Sequence, residues 1–217
     1  AYSVDADLWV AVLTGAGDKA FTAGNDLKFT IAGGKSKMPP SGFAGLTQRF
    51  DLEKPIIAAV NGFAMGGGFE TALSCDIILS ADTATFALPE VKVGFFAAAG
   101  GVQRLSRYIG RLAAQELVLT GRSITAQEAL AMGVVNAVVP KAELLDAAMA
   151  KAKQITAVSP SAVKASKRVL NALAVAEGLP DSLAYSREVV TDLAQTEDFK
   201  EGVQAFVEKR KPKWLNR

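Results

Sequence analysis

Glu70 follows the run Gly66-Gly67-Gly68-Phe69, which comes directly after the apolar segment Pro55-Ile56-Ile57-Ala58-Ala59-Val60 and the link Asn61-Gly62-Phe63-Ala64-Met65. Successive glycines let a backbone approach a ligand with no Cβ in the way. A helix starting among them would aim unpaired N–H groups and its positive dipole end at that ligand. An acyl oxygen gaining negative charge suits such a place, although the same glycines would also serve close helix-to-strand packing. A second turn, Ala20-Phe21-Thr22-Ala23-Gly24-Asn25-Asp26-Leu27-Lys28, can offer a bare N–H to the same pocket, and two such groups make an oxyanion hole. Glu90 lies in Phe86-Ala87-Leu88-Pro89-Glu90, where Pro89 breaks the local structure; a Pro-Glu pair alone is usually a surface turn.

The chain has no histidine, so a Ser-His-Asp triad, a His general base and a histidine metal site are excluded, and proton transfer falls to other groups. The single cysteine, Cys75, rules out an intramolecular disulfide and a Cys-pair zinc site and suits a reducing compartment, so a cytoplasmic location is expected. Lys plus Arg number 24 against 22 Asp plus Glu, and a net charge of +2 gives no field that would favour nucleic acid. No apolar run reaches the roughly 18 residues of a membrane span, and Ala1 to Leu8 lacks a signal-peptide pattern. Gly15-Ala16-Gly17-Asp18-Lys19-Ala20 matches the relaxed dinucleotide fingerprint, but Phe21-Thr22-Ala23-Gly24 cannot open the helix that fingerprint needs, nor does an acidic residue follow at the right distance.

Positioning these groups falls to an α/β scaffold. Strands are predicted at Leu8–Leu13 (buried, in a mainly parallel sheet), Ile56–Val60, Asp76–Ala81 and, more weakly, Thr85–Leu88; a loop rich in Gly, Lys, Ser and Pro spans Phe29–Gly45. From Gly101 onward the pattern is helical: Val102–Ile109, Leu112–Leu119, Thr125–Met132, Lys141–Ala157, Pro160–Ala176, Pro180–Gln195 and Asp198–Lys209, with Val134–Val139 returning to strand. Thr125 and Glu128 have capping-box spacing, and Gly133 ends that helix. These patterns divide the 217 residues into an α/β core, 1–140, and a helical region, 141–217.

The set Phe21 to Leu27, Asn61-Gly62, Gly66 to Glu70 and Pro89-Glu90-Val91-Lys92-Val93-Gly94 resembles the crotonase family of enoyl-CoA hydratases and isomerases in order and spacing. Gly100-Gly101-Val102-Gln103-Arg104-Leu105, Leu119 to Arg122, Ala129 to Val135 and Phe206 to Arg210 carry the resemblance to the C-terminus. It implies a crotonase-like (ββα) superhelix core with a C-terminal helical trimerisation region. An N-terminal portion of the fold, with a strand, a helix and further CoA contacts, is expected to be missing, which should weaken CoA binding.

By motif position the resemblance assigns the oxyanion hole to the N–H groups of Asn25 and Gly67, and the water-handling carboxylates to Glu70 and Glu90. It places Lys19 and Lys28 near the nucleotide of CoA, with Ala23, Gly24, Asp26, Leu27 and Gly66 along the substrate and an N–H at Ala98 retained. Phe206 and Lys209 correspond to contacts lent by a neighbouring subunit; without the motif, Lys19, Lys28 and Lys209 read as solvated surface charge. The implied substrate is an acyl-CoA, with no metal or redox cofactor, in a homotrimer or hexamer that needs neither nucleic acid nor membrane.

Three features depart from the family pattern: Phe95-Phe96-Ala97-Ala98-Ala99 in place of a Pro-Gly-Ala run, Phe69 beside Glu70 as a further wall of the acyl pocket, and the N-terminal portion that is expected to be missing. The expected activity is hydration of a 2-enoyl-CoA. The alternatives are a Δ3-Δ2 enoyl-CoA isomerase, a carnitinyl-CoA dehydratase-like enzyme suggested by the ending Lys209-Arg210-Lys211-Pro212-Lys213-Trp214, and a non-catalytic RNA-binding or scaffold relative.

Overall fold

The structure is a computed structural model describing residues 2–26, 38–172, 191–192 and 195–217, with the side chains of 203, 206 and 207 left aside. The chain divides into two compact units. One comprises Val12–Arg49 and Ile56–Met149; the other comprises Ala1–Ala11, Phe50–Pro55 and Ala150–Arg217.

The first unit is built on two four-stranded sheets. Strands β1 (Ala11–Thr14), β3 (Ile56–Val60), β5 (Ile77–Ala81) and β8 (Ala137–Val139) lie in the order β1-β3-β5-β8, and β2 (Ala20–Thr22), β4 (Phe63–Met65), β6 (Thr85–Ala87) and β7 (Ile124–Thr125) in the order β2-β4-β6-β7. Successive passes of the chain therefore contribute one strand to each sheet. β3 pairs in parallel with β5, and β4 with β6, so the turns leaving β2, β4 and β6 emerge at the same end of their sheet. β7 runs antiparallel to its neighbour β6.

β3 is buried at every position, as a strand of a covered parallel sheet must be. Asn61, the residue after β3, fixes the crossing between sheets: its Oδ1 accepts from Gly15 N (3.1 Å), and its Nδ2 donates to the carbonyls of Gly15 and Gly17 (3.2 and 2.9 Å). Helix α1 (Gly67–Leu73) follows β4 and buries Phe69 and Leu73. Phe69 meets Phe86 of β6 with ring centroids 5.3 Å apart. It is thus a core residue, 1% exposed, and not the acyl-pocket wall expected beside Glu70.

Helices α2 (Gly101–Ile109) and α3 (Arg111–Thr120) are separated by Gly110, whose φ of 80° and ψ of 160° break the helix. α4 (Ala126–Ala131) opens with the expected capping box, since Thr125 Oγ1 accepts from Glu128 N and Glu128 Oε2 from Thr125 N. The span expected to be one helix from Lys141 is a 3-10 turn at Lys141–Glu143 followed by α5 (Leu144–Thr156).

The second unit contains the last turns of α5, α6 (Pro160–Ala172) and α7 (Glu197–Val207). Asp198, 1% exposed, binds the chain end: its carboxylate accepts from Ser161 N and Oγ, Leu215 N and Asn216 N. Glu201 accepts from Arg210 at 2.6 and 2.9 Å and from Lys213 N. These partners hold its carboxyl down at about 2.

The first expected strand starts later than its apolar run. Leu8 is 45% exposed and lies in a turn in which Leu8 N donates to Asp5 O and Asp7 N to Asp5 Oδ1; sheet pairing begins at Ala11. β2 and β4, three residues each, fell within segments expected to be turns. Residues 29–37 of the predicted loop and most of the helix expected over Pro180–Gln195 lie outside the described residues.

Candidate active site

The glycine run performs two separate tasks. Gly66 has φ 56° and ψ −125°, a conformation an L side chain resists, and its N–H donates to Ala87 O (2.9 Å) at the end of β6. That bond brings the end of β4 beside the segment leading to Glu90. A Cβ on Gly66 would lie 3.1 Å from Glu90 Oε1, so the bare α-carbon makes room for the carboxylate. Gly67 opens α1 with no side-chain cap, and the N–H of a first helical residue has no acceptor within its own helix. The Phe43 ring covers this residue so closely that a Cβ would come within 2.7 Å of it.

The second turn reaches the same place. Gly24, with φ 85°, would carry its Cβ 2.8 Å from Gly67 N, so the Gly24 backbone packs directly against the start of α1. Gly24 N–H itself donates to Thr22 Oγ1 (3.2 Å).

Glu70, one turn into α1, is 3% exposed. Its Oε1 accepts from Gly101 N at the start of α2 (2.8 Å), and the carboxylate also accepts from the Ala99 N–H. Burial raises its pKa above the ordinary value of 4.5, and the nearby Glu90 raises it further; the two N–H donors and the Arg104 cation oppose that rise without cancelling it. Glu90, in the 3-10 segment Pro89–Val93, also has its pKa raised, again by burial, with its own backbone N–H acting the other way. Glu90 Oε2 is buried and meets no hydrogen-bond partner among the described residues. A buried acceptor left open in this way costs about 1–3 kcal/mol unless something else occupies it. Two interacting carboxylates with raised pKa values are equipped to hold and pass a proton, and they titrate as a pair.

The segment joining Glu90 to Ala99 carries the unusual aromatics. Gly94 takes the left-handed conformation, Phe95 N donates to Glu90 O (3.0 Å), and the Phe95 and Phe96 rings lie 5.5 Å apart, each more than half exposed. Ala97 is buried and Ala98 exposed.

Of the other expected substrate residues, Lys19, Ala23 and Asp26 are exposed. Leu27 and Lys28 lie outside the described residues, as does the side chain of Phe206. Lys209 belongs to the second unit, exposed, with φ 52° just beyond α7. Among the described residues no group of three His, Cys, Asp or Glu side chains gathers to hold a metal, and no helix is long and apolar enough to cross a membrane.

Sequence reasoning missed the groups behind the site. Phe43 over Gly67 carried no signal, because it lies in a loop without periodicity. Arg104 did carry one: it is a lone cation between Val102 and Leu105, three residues beyond the Gly101 that binds Glu70. Its Nη2 donates to Thr47 O (2.7 Å) and its Nη1 to Ala99 O (3.3 Å).

The profile of the enoyl-CoA hydratase/isomerase family matches residues 2–217. The chain belongs to this family, the crotonases. It is 45% identical over 218 residues to a carnitinyl-CoA dehydratase from Salmonella paratyphi B, covering 98% of this chain and 84% of that one. A Salmonella arizonae protein of the same name is 47% identical, with 97% and 82% covered. Among solved structures, an enoyl-CoA hydratase from Mycobacterium marinum superposes with a TM-score of 0.92 at 41% identity, covering 100% of this chain and 84% of that one. A carnitinyl-CoA hydratase from Mycobacterium avium does so with 0.74 at 46% identity, covering 99% and 84%. The alternating two-sheet architecture is thus the crotonase fold.

Proposed function

We propose that this crotonase is a hydro-lyase that interconverts a 2-enoyl-CoA and its 3-hydroxyacyl-CoA. The observation that carries the reading is the pairing of Glu70 and Glu90, both with raised pKa values, beside the start of α1, with Glu90 Oε2 open to a water or a substrate hydroxyl.

The thioester oxygen is received by the N–H groups of Gly67 and Asn25, which stabilise it most when it becomes an enolate oxyanion. In hydration, a carboxylate takes a proton from water as the water oxygen bonds to C3. Electrons of the double bond move onto the thioester oxygen, and collapse of the enolate takes a proton at C2 from the carboxyl pair. Elimination reverses each step: the pair removes the C2 proton, and the C3 hydroxyl leaves as water once protonated. No redox cofactor or metal enters this balance, and CoA is part of the substrate. Lys19 and Lys28, with the backbone of Ala23, Gly24, Asp26 and Leu27, are proposed to bind the CoA portion.

The identities of 45% and 47% to proteins named carnitinyl-CoA dehydratase favour a 3-hydroxyacyl group of that kind, processed by the same carboxylates in the eliminating direction. An isomerase can manage with one carboxylate, so retention of both Glu70 and Glu90 favours the hydro-lyase. The basic ending offers little to RNA, because Arg210 is held by Glu201 and Glu208. We further propose a trimeric or hexameric cytoplasmic enzyme, with Phe206 and Lys209 serving a neighbouring subunit's CoA.

The test is to present crotonyl-CoA, carnitinyl-CoA and a 3-enoyl-CoA in parallel and follow the conjugated thioester by absorbance with product analysis. Water addition or elimination should dominate. Turnover confined to double-bond migration in the 3-enoyl-CoA would overturn the reading.

A further inference from the structure

Arg104 is a half-buried cation that touches both halves of the site without reaching the expected reacting atoms. Its Nη2–H donates to Thr47 O (2.7 Å), and the hydroxyl of Thr47, 1% exposed, accepts from Phe43 N (2.9 Å). Phe43 is the residue whose ring lies over Gly67. On the other side, its Nη1–H donates to Ala99 O (3.3 Å), and Ala99 and Gly101 supply the N–H groups that hold the Glu70 carboxylate. One planar guanidinium therefore binds the carbonyls of two segments that have no sheet or helix in common. Arginine suits this task because its donors are fixed in a fork, whereas a lysine ammonium is a single point of attachment.

We propose that Arg104 is a positioning residue that locks the Phe43–Thr47 wall over Gly67 to the Ala99–Gly101 cradle of Glu70, so that the oxyanion turn and the carboxylate keep one relative geometry. The charge has a second consequence. Glu70 faces Glu90, whose charge raises its proton affinity, and Arg104, whose charge lowers it; Arg104 itself faces Tyr108, Arg107 and Cys75 as well as Glu70. Tyr108 is engaged through its hydroxyl with Leu73 O (3.0 Å) and Cys75 is buried; among the described residues, Arg104 is the cation that opposes Glu90 at Glu70.

The proposal depends on the hydro-lyase reading only for its kinetic arm; a structural arm tests it alone. Arg104→Met and Arg104→Lys, confirmed as folded by their thermal transitions, are compared with the parent by amide hydrogen exchange. Exchange at Phe43, Ala99 and Gly101 is expected to accelerate together in Arg104→Met, and acceleration on only one side of the guanidinium, or on neither, would overturn the coupling. If Arg104→Met does not fold, Arg104→Lys decides by the same criterion.

In the kinetic arm, with crotonyl-CoA, Arg104→Met should lose about 10- to 100-fold in kcat with KM changed less than about threefold. The acid limb of its kcat/KM profile should move to higher pH. Arg104→Lys, keeping the charge but not the fork, should leave that limb in place and recover only part of kcat. Parental kcat in either folded variant, or an unmoved limb in Arg104→Met, would contradict the proposal. Absence of turnover by the parent would instead count against the hydro-lyase reading and leave the exchange arm as the judge of Arg104.

Discussion

Glu90 offers a carboxyl oxygen, Oε2, with no hydrogen-bond partner among the described residues, and a side chain whose pKa is raised by burial. At this residue, function and stability pull in opposite directions. Because the folded state holds the Glu90 proton more tightly than the unfolded chain, its contribution to stability is complete below the ordinary carboxylate value. It is lost as pH rises through the raised one. Glu90→Gln is isosteric and cannot ionise, so its melting temperature should exceed the parent's at about pH 8 and the gap should shrink towards about pH 4. Thermal unfolding at the two values checks this, and an equal gap at both would contradict the assigned cause. Glu70→Gln is less simple, because the Glu70 carboxylate accepts from both Gly101 and Ala99 and an amide NH2 cannot replace an accepting oxygen.

At the scale of elements, the site depends on three turns leaving the β2-β4-β6 sheet at one end. Gly24→Ala would force a side chain at φ 85° to within 2.8 Å of Gly67 N. It should lower kcat for 2-enoyl-CoA hydration by about tenfold or more, far beyond its effect on KM, because it displaces the proposed oxyanion donors. Steady-state kinetics separates the two effects, and parental kcat would show that the turns do not act together. The paired rings in the segment joining Glu90 to Ala99 invite a specificity test: Phe95→Ala with Phe96→Ala should change the ratio of kcat/KM between short and long 2-enoyl-CoA substrates by more than about threefold, and an unchanged ratio would remove them from the acyl site. In the helical unit, Asp198→Ala would strip four donors of their acceptor, two of them from Ser161. It should cost about 3 kcal/mol, read by denaturant unfolding. A loss under about 1 kcal/mol would mean that water replaces the carboxylate readily.

Across the whole molecule, the parts legible in the sequence were those with a local cause. β3 announced itself as an apolar run, Thr125-x-x-Glu128 as a capping box, and Gly66-Gly67-Gly68 as a turn needing no Cβ. β2 and β4 were too short for any periodicity to register and exist because of partners far along the chain: Ala20 pairs with Phe63, and Phe63 with Thr85. Phe69 misled because sequence adjacency to Glu70 says nothing about direction; one helical step turns it into the core against Phe86. Phe43 supports the site through a ring contact that leaves no spacing rule behind, and Arg104, marked only as a lone cation just beyond Gly101, does so through carbonyls. The family resemblance identified Glu70 and Glu90 as partners, and the fold adds the burial that raises both. The most direct measurement of the proposed chemistry is kcat for water addition to crotonyl-CoA by the parent, Glu70→Gln and Glu90→Gln, with CoA affinity measured by calorimetry on the same preparations. Each variant is predicted to lose about 10²- to 10⁴-fold in kcat with CoA affinity unchanged; a variant that hydrates at the parent's rate would contradict the paired-carboxylate account.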